Sequence, residues 1–501
     1  MPGSTIPRNP LRKALWAAAA LVLVAGATTA GLVLADEDPA ACAPGTLTAA
    51  DGSCTALSDG GHTFPVLKDI SGKIKAENDA VTASKTRHVT VVHLESMAGG
   101  TWDRGPEGAR RAVTGAYIAQ VKLNKARDTV PKVRLLLADT GKDDKDAEKV
   151  AGQILALAQR EHIVAVTGIG QSNQRTVAAV RKLRAGGMPV VGATVAADEM
   201  RSEAAGFFRV SFPVSSQTAA AARYFAQEQD KRPGYRVQVI RDRRPGDVYS
   251  KSLYEGFTAA ARKAGLRTED VVPFTSGTKG TDGNALWQVA EKVCAGGQRP
   301  DAVYFAGRGR ELRRFIEAAG QDGRRCPVTV LSGSSAVGVY FDTSRAADDL
   351  GPLHDSWQAG GLTVRYTAYT HPQASQRLYG GARQGPYAAF ERDYLRLRGG
   401  DPGALANGQA MVGHDALYAV GIASRNAVSS YGADSIGAGA VLDLLGQING
   451  GHTVHGVSGE IAFDPNTGEP EGRPMALVEL RAPDTGLDEA DLYRFVRLIE
   501  P

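Results

Sequence analysis

The chain has 501 residues, of which 43% are hydrophobic and 22% charged, an ordinary globular composition in a chain longer than one hydrophobic core usually supports. Its 58 basic and 54 acidic residues leave a formal charge of only +4, and no long Lys/Arg run follows the N-terminus. This balance argues against a nucleic-acid partner, and the length predicts at least two lobes.

The first predicted element is an uncharged segment over residues 14–35, the only stretch long and apolar enough to cross a bilayer. Basic residues precede it and acidic residues follow it, so the positive-inside rule predicts a cytoplasmic tail over residues 1–13, a single-pass anchor in the cell membrane and an extracellular body. A cleavable signal peptide is the alternative, because small residues near position 35 resemble a cleavage site. Both interpretations place the body outside the cytoplasm.

Residues 36–87 have weak periodicity and are predicted to form a stalk with a small disulfide loop. The cysteines number four, an even count that suits a compartment where disulfides persist. We expect Cys42 to pair with Cys54 and Cys294 with Cys326, although the sequence also allows other pairings or free thiols. Neither pair has the close spacing of a zinc or redox site, so we expect no metal.

From residue 88 onward, short apolar β-branched runs alternate with amphipathic helical stretches, a pattern typical of parallel βαβ units. In the first series the predicted strands are 88–94, 133–139, 163–167 and 189–193. The same pattern restarts after residue 212, with predicted strands at 236–240, 302–305 and 327–331.

Two successive α/β series predict two Rossmann-like lobes with a cleft between them. Extended connectors are expected at 210–214 and 361–366, and these would act as the hinge. The predicted boundaries are residues 88–211 plus about 366–450 for lobe 1, and residues 212–365 plus about 451–501 for lobe 2.

Six local motifs occur in the order found in one known family. They are GTWDRGPEGARRA at 100–112, TGIGQSN at 167–173, GMPVVGAT at 187–194, DVYSKSLYEGF at 247–257, GHDALYA at 413–419 and VSGEIAFDPNTG at 457–468. Together they resemble the type I periplasmic-binding proteins, in the branch that includes the leucine/isoleucine/valine-binding proteins of ABC importers. The resemblance covers about residues 88–498 and implies a two-lobed α/β fold that closes on a ligand.

The resemblance also implies a ligand site at the carboxyl ends of the strands, where loops and helix N-termini supply donors. Ser172, Ala193 and Thr194 would hold a ligand carboxylate from one lobe, Tyr249 would contact it from the other, and Trp102 would cover its apolar part. Each has a purely structural alternative: Ser172 as a helix cap, Thr194 as a turn residue, and Trp102 and Tyr249 as packing residues.

One position departs from the amino-acid-binding members of the family. Where an acidic residue would hold the ligand's ammonium group, the sequence has Ser335, which cannot neutralise a buried charge. Asp415 is a candidate substitute, and its structural alternative is to cap a helix. A branched-chain amino acid or an amide-like metabolite is therefore the expected ligand, with other small polar metabolites left open.

No catalytic motif accompanies these features. The glycines at 168–173 lack the third member of a dinucleotide fingerprint, and neither a phosphate-binding GxxxxGK[ST] nor a GxSxG motif occurs. We therefore expect no enzyme activity and no cofactor, but a solute-binding protein that delivers its ligand to a membrane permease. The alternative is a membrane-tethered sensor or scaffold that acts through a partner protein.

Overall fold

The computed structural model describes residues 42–49, 51–98, 105–126, 129–201, 205–277, 282–294, 299–341, 350–381, 384–398, 403–484 and 486–500. The predicted tail, the predicted membrane segment at 14–35 and Trp102 lie outside these ranges. Within them, none of the helices combines the length and hydropathy required to span a membrane. The chain divides into Met1–Ala43 and Pro44–Pro501, and the second unit contains the sheets.

The first sheet of the described chain forms lobe 1, with strand order β1-β2-β4-β3-β5-β6-β7. The strands β4, β3, β5, β6 and β7 run parallel, and β1 and β2 form an antiparallel hairpin that joins the sheet through β4. The strands are Thr46–Thr48 (β1), Cys54–Ser58 (β2), His88–Glu95 (β3), Lys132–Asp139 (β4), Ile163–Gly168 (β5), Val190–Gly192 (β6) and Phe207–Arg209 (β7).

This hairpin corrects the expectation of a stalk over residues 36–87. Its second strand pairs with β4, Leu57 opposite Ala138. The helix Ser71–Ala83 (α1) then packs on the same sheet, and its buried Asn78 exchanges hydrogen bonds of 2.8 and 2.9 Å with the backbone of Leu135. The described part of the segment is therefore built into lobe 1.

The second sheet forms lobe 2, with strand order β16-β15-β12-β11-β10-β8-β9. Its strands β12, β11, β10, β8 and β9 run parallel, and β15 and β16 extend it as an antiparallel hairpin. The strands are Val237–Asp242 (β8), Val272–Phe274 (β9), Ala302–Ala306 (β10), Thr329–Ser332 (β11), Thr363–Ala368 (β12), Met475–Leu480 (β15) and Tyr493–Ile499 (β16), and a small separate pair is Val454–His455 (β13) with Glu460–Ile461 (β14).

Helices cover both sheets. Lobe 1 carries α1, Pro106–Lys125 (α2), Ala147–Leu157 (α3) and Gln174–Ala185 (α4), and later in the chain α11, α12 and α13. Lobe 2 carries Val214–Lys231 (α5), Val248–Lys263 (α6), Asp282–Cys294 (α7), Gly309–Ala319 (α8) and Gly351–Gly360 (α9). The remaining helices are Pro372–Leu378 (α10), Gly385–Arg398 (α11), Gln409–Tyr431 (α12), Ala438–Leu445 (α13) and Glu489–Leu492 (α14).

The central strands are buried on both faces, which explains their continuous apolar runs. In β3, Val91 belongs to the cluster that includes residues of α2 and α12, whereas its neighbour Val92 belongs to the cluster that includes residues of α3 and α4. Successive side chains of a strand point to opposite faces, so both faces must be covered by helices. The prediction of two parallel α/β lobes is confirmed.

Helices α2 and α12 cross at very short range in lobe 1. A Cβ atom added to Gly115 would lie 1.9 Å from the carbonyl oxygen of Ala410, and one added to Gly413 would lie 2.2 Å from that of Ala112. Two glycines, one on each helix, thus let the backbones touch. This close contact explains the abundance of small residues in both helices.

In the described part of the chain, three segments connect the lobes: residues 210–213, residues 369–381 and residues 462–474. The predicted connector at 361–366 is wrong, because β12 occupies it and pairs with β11 on one side and β15 on the other. The third segment is bonded to the first segment and to the strand before it, since the Arg473 guanidinium donates to Val210 O and Arg209 N, at the end of β7, donates to Gly468 O at 3.1 Å.

The cysteines are paired. Cys294, at the end of α7, and the buried Cys326 form a disulfide within lobe 2, as predicted. Cys42 and Cys54 are also in the disulfide form, and the described residues contain no free thiol.

Candidate ligand-binding site

The carboxyl ends of the parallel strands of both lobes meet around one cavity. From lobe 1 come the loops after β5 and β6, and from lobe 2 come the start of α6 and the turns after β10 and β11. The cavity is about 20 Å³ in volume, which is room for about one water molecule. It is lined by Gly170, Gln171, Ser172, Thr194, Tyr249, Arg308, Ser335, Val337, Gly338, Phe341, Tyr369 and Gln409.

Four of the residues singled out from the sequence, Ser172, Thr194, Tyr249 and Ser335, line this cavity together. Ala193 is buried beside them, and its N–H donates to Gly168 O at 3.0 Å, so it supports the loop without lining the cavity. Because Trp102 lies outside the described residues, its contacts are not part of this geometry. The ligand-binding role of all these residues remains a prediction.

The lobe 1 wall is a turn that requires left-handed backbone. Gly168, Ile169 and Gly170 have φ values of 92°, 69° and 56°. At Gly170 a Cβ atom would lie 2.7 Å from a carboxylate oxygen of the buried Glu95, so only glycine fits there. The turn is then fastened to the next loop, because Thr194 Oγ1 donates to Gly170 O at 2.6 Å.

The Ser172 side chain hydrogen-bonds to the backbone of a neighbouring loop and does not cap a helix. Its Oγ accepts hydrogen bonds from the N–H groups of Ala196 and Ala197 at 3.0 and 3.1 Å. The cap of α4 is the next residue, Asn173, whose side chain and that of Thr176 form a reciprocal capping box. The proposed structural alternative for Ser172 is therefore wrong, and its side chain positions the loop that follows β6.

The lobe 2 wall is organised by the first turn of α6. Asp247 caps this helix by accepting from the N–H groups of Tyr249 and Ser250. The Tyr249 hydroxyl then accepts from the N–H of Ser335 at 2.9 Å, which connects the helix to the turn after β11. Tyr249 is thus a wall residue of the cavity and also holds the neighbouring turn in place.

Arg308, which the sequence analysis missed, connects the two walls. Its guanidinium donates to both carboxylate oxygens of Asp247, at 2.7 and 3.0 Å, and to the carbonyl oxygen of Ser172 in lobe 1 at 2.6 Å. Both charges are almost completely buried, and a buried pair of this kind requires such complete hydrogen bonding. The available signal was a basic residue two positions after a buried strand, at the strand end that faces the cleft.

Asp415, the candidate substitute for a ligand-binding acid, lies elsewhere. It is fully buried on α12, where it accepts from the N–H groups of Val457 and Ser458 at 2.8 and 2.7 Å and from the Ser458 hydroxyl at 2.5 Å. Although burial acts to raise it, the pKa of Asp415 is lowered by hydrogen bonds from His414 and Ser458. The carboxylate therefore fixes the turn at 456–458 and does not line the cavity.

A second buried carboxyl group supports the lobe 1 wall. Asp144 accepts from the Thr140 hydroxyl at 2.7 Å and from the Asn173 side chain at 2.7 Å, directly behind the cap of α4. Burial raises the pKa of Asp144 to about 6, against the effect of these two hydrogen bonds. The charge on this group therefore changes in the mildly acidic range.

Further contacts join the lobes around the cavity. The N–H of Gln174 donates to Gly246 O at 3.1 Å, and Lys251 pairs with Glu199 at the surface. On another side, Glu489 of lobe 2 is held by two guanidinium donors of Arg111 in lobe 1. The structure is therefore a closed form in which the two lobes meet.

No family model matches the chain, and no curated protein matches it in sequence. Solved structures do share its fold. The leucine-binding protein LivK from Thermotoga maritima is 20% identical with a TM-score of 0.60, over 82% of this chain and 99% of that one. LivJ from Streptococcus pneumoniae, solved with isoleucine, is 15% identical with a TM-score of 0.56, over 83% and 100%.

A third example is a solute-binding protein of an ABC transporter from Rhodopseudomonas palustris, solved with p-hydroxybenzoic acid. It is 14% identical with a TM-score of 0.57, over 82% of this chain and 97% of that one. All three are described as proteins that bind a solute or a transport substrate. The chain shares with them the fold of the type I periplasmic-binding proteins.

Proposed function

We propose that this protein binds a small polar solute in the cleft between its lobes and delivers it to a membrane permease of the ABC type. The observation that carries the proposal is the convergence of polar side chains from both lobes on one cavity. Ser172 and Thr194 come from lobe 1, and Tyr249, Arg308 and Ser335 come from lobe 2. A solute placed there would bridge the lobes and favour their closure.

Binding and release then depend on opening. A cavity of about 20 Å³ holds about one water molecule, so a metabolite enters only when the lobes separate. Hinge movement in the three connecting segments, together with loss of the Arg308 contact to Ser172 O, supplies that opening. A ligand that bridges the walls would replace the contacts that are lost.

We further propose that the body functions outside the cytoplasm, tethered by residues 14–35 or released after cleavage there. The disulfides support this, since they persist in oxidising compartments. Protease added to intact cells is expected to degrade the body and leave the residues before position 14 protected. Recovery of a mature N-terminus at Asp36 would instead establish cleavage, and a body protected in intact cells would refute export.

The test of solute binding is a thermal-shift screen of the full-length chain against a metabolite library, because a ligand of the native state raises Tm by mass action. A hit is then measured by calorimetry with Thr194→Ala, expected to weaken binding by roughly 1 to 3 kcal/mol. Ser424→Ala is the matched control: Ser424 is also buried and donates to a backbone carbonyl, but it does not line the cavity.

Equal losses in both variants would place the effect outside the cleft and contradict the proposed site. Failure of every library member to stabilise the wild-type protein would contradict solute binding itself. Small-angle scattering adds an independent criterion, because a ligand that bridges the lobes is expected to make the open form of the protein more compact.

A further inference from the structure

Arg308 supplies the charge that faces the candidate cavity: no other Asp, Glu, Lys or Arg is among the described residues that line it. The partner carboxylate, Asp247, is buried at the helix cap and does not line the cavity. A solute in the cavity therefore contacts the Arg308 guanidinium, whereas the Asp247 carboxylate that balances its charge lies outside the cavity lining. Positive potential at a poorly hydrated site favours an anion and opposes a cation.

Ser335 provides a second, independent observation. Its side chain lines the cavity and is only 6% exposed, yet its Oγ has no hydrogen-bond partner among the residues that the structure describes. A buried hydroxyl without a partner is costly, and a ligand oxygen in the cavity would satisfy it. The adjacent Ser334 has the same defect, but it does not line the cavity and so has no access to a ligand there.

The buried carboxylates near the cavity already have partners. Glu95 contacts His93 Nε2 at 3.2 Å, Asp144 is bound by Thr140 and Asn173, and Asp247 is bound by Arg308. None of the three lines the cavity. Among the described residues, therefore, no carboxylate is placed to receive an ammonium group from a solute bound there.

Given the proposed solute-binding function, we infer that the preferred ligand is a small carboxylate without an α-ammonium group. Its carboxylate lies beside Arg308 and accepts from Ser335 Oγ. An α-amino acid of the same skeleton carries its ammonium into the field of the guanidinium, and none of the described lining residues is a carboxylate that could pair with it. The cleft thus selects simple, 2-hydroxy or 2-oxo acids over amino acids.

The experiment uses the purified full-length chain and probes that differ only at the α-carbon: 4-methylpentanoate, 2-hydroxy-4-methylpentanoate, 4-methyl-2-oxopentanoate and leucine, with benzoate and 4-hydroxybenzoate as aromatic acids. We expect at least one acid to bind, and its affinity to exceed that of leucine by about tenfold or more. Leucine binding as tightly as the best acid overturns this inference and leaves solute binding intact. A library hit that is neutral or cationic, with no acid binding, overturns it in the same way.

Two variants test the residues. Ser335→Ala is expected to weaken binding of the best acid by about tenfold, and Ser334→Ala by less than about twofold. The double variant Arg308→Gln with Asp247→Asn removes both charges without leaving one buried alone, and it is expected to reduce the preference for the acid over leucine by about tenfold. Equal losses in the two serine variants, or an unchanged preference in a folded double variant, overturn the assignment.

Discussion

Replacing Glu489 by Gln tests whether the lobes are held closed by contacts outside the ligand cavity. Glu489 lies on lobe 2, and its carboxylate accepts from two donors of the buried Arg111 guanidinium and from the Asn407 side chain at 3.3 Å, both in lobe 1. These bonds exist only when the lobes meet. Arg111 keeps a second carboxylate partner, Glu107, so the substitution does not leave its charge unpaired.

The magnitude follows from the exposure of the pair. Hydrogen bonds between charged groups contribute roughly 1.5 to 3 kcal/mol, and the lower end applies because Glu489 is 21% exposed. A loss of about 1.4 kcal/mol lowers the ratio of closed to open molecules about tenfold. The measurement that detects this loss depends on the equilibrium between open and closed molecules in the wild-type protein. If the wild type is mostly open, the variant loses up to tenfold in ligand affinity, and if it is mostly closed, the ligand-free variant is more expanded.

The assays are therefore small-angle scattering without ligand and calorimetry with a ligand from the screen. Glu199→Gln is the control, because the Lys251–Glu199 pair also joins the lobes but its side chains are 51% and 37% exposed. We expect this control to behave like wild type, as exposed pairs contribute little. If Glu489→Gln changes neither the scattering profile nor the affinity, the pair does not stabilise closure and the reasoning is wrong.

Three further predictions concern the fold. Replacing Cys294 and Cys326 by Ala opens a bridge with a sequence separation of 32 and is expected to lower the free energy of unfolding by about 4 kcal/mol in urea titrations; a change below about 1 kcal/mol would contradict this. Gly413→Ala is expected to lower the free energy of unfolding by about 1 to 3 kcal/mol, because the added methyl group is overpacked against Ala112. Gly439→Ala, at an open helical position, is the control and should raise the free energy of unfolding by about 0.5 to 1 kcal/mol. Equal effects of the two substitutions would refute the close crossing of α2 and α12. Because the pKa of Asp144 is raised in the folded protein, its protonated form adds stability at low pH that is lost as pH rises through about 6. Asp144→Asn should therefore flatten the decline in the free energy of unfolding between about pH 4 and 6. Parallel plots of the free energy of unfolding against pH for wild type and variant would contradict this.

The central strands could be predicted from the sequence because burial on both faces gives continuous apolar runs. The strand predicted at 302–305 is observed at Ala302–Ala306 for this reason. Segment 361–366 was misassigned because Thr363 and Arg365 are half-buried and polar, and Arg365 is satisfied by Glu479 on the antiparallel neighbour β15. Short strands such as β1 form only by pairing with a neighbouring strand, and they are too short to show an alternation of apolar and polar residues in the sequence.

The candidate site shows the same limit. Loops after parallel strands converge in any such sheet, and the resemblance of the motifs to a known family singled out Ser172, Thr194 and Tyr249, which line one cavity. The positions of Arg308 and Asp415 could not be predicted. Arg308 depends on a carboxylate 61 positions earlier in the chain and on the approach of the other lobe, and Asp415 is satisfied by a turn more than 40 positions later.

Hydrogen bonds between the connecting segments restrict the movement of one lobe relative to the other. Two backbone carbonyl contacts, Arg209 N to Gly468 O and the Arg473 guanidinium to Val210 O, join the chain at the first segment to the third. Thr370 of the second segment donates to Ser458 O in the turn at 456–458. We expect segments joined in this way to move together when the lobes open. On the proposed function, each closure of the lobes brings the same donors of one wall back to the same acceptors of the other, as Arg308 donates to Ser172 O.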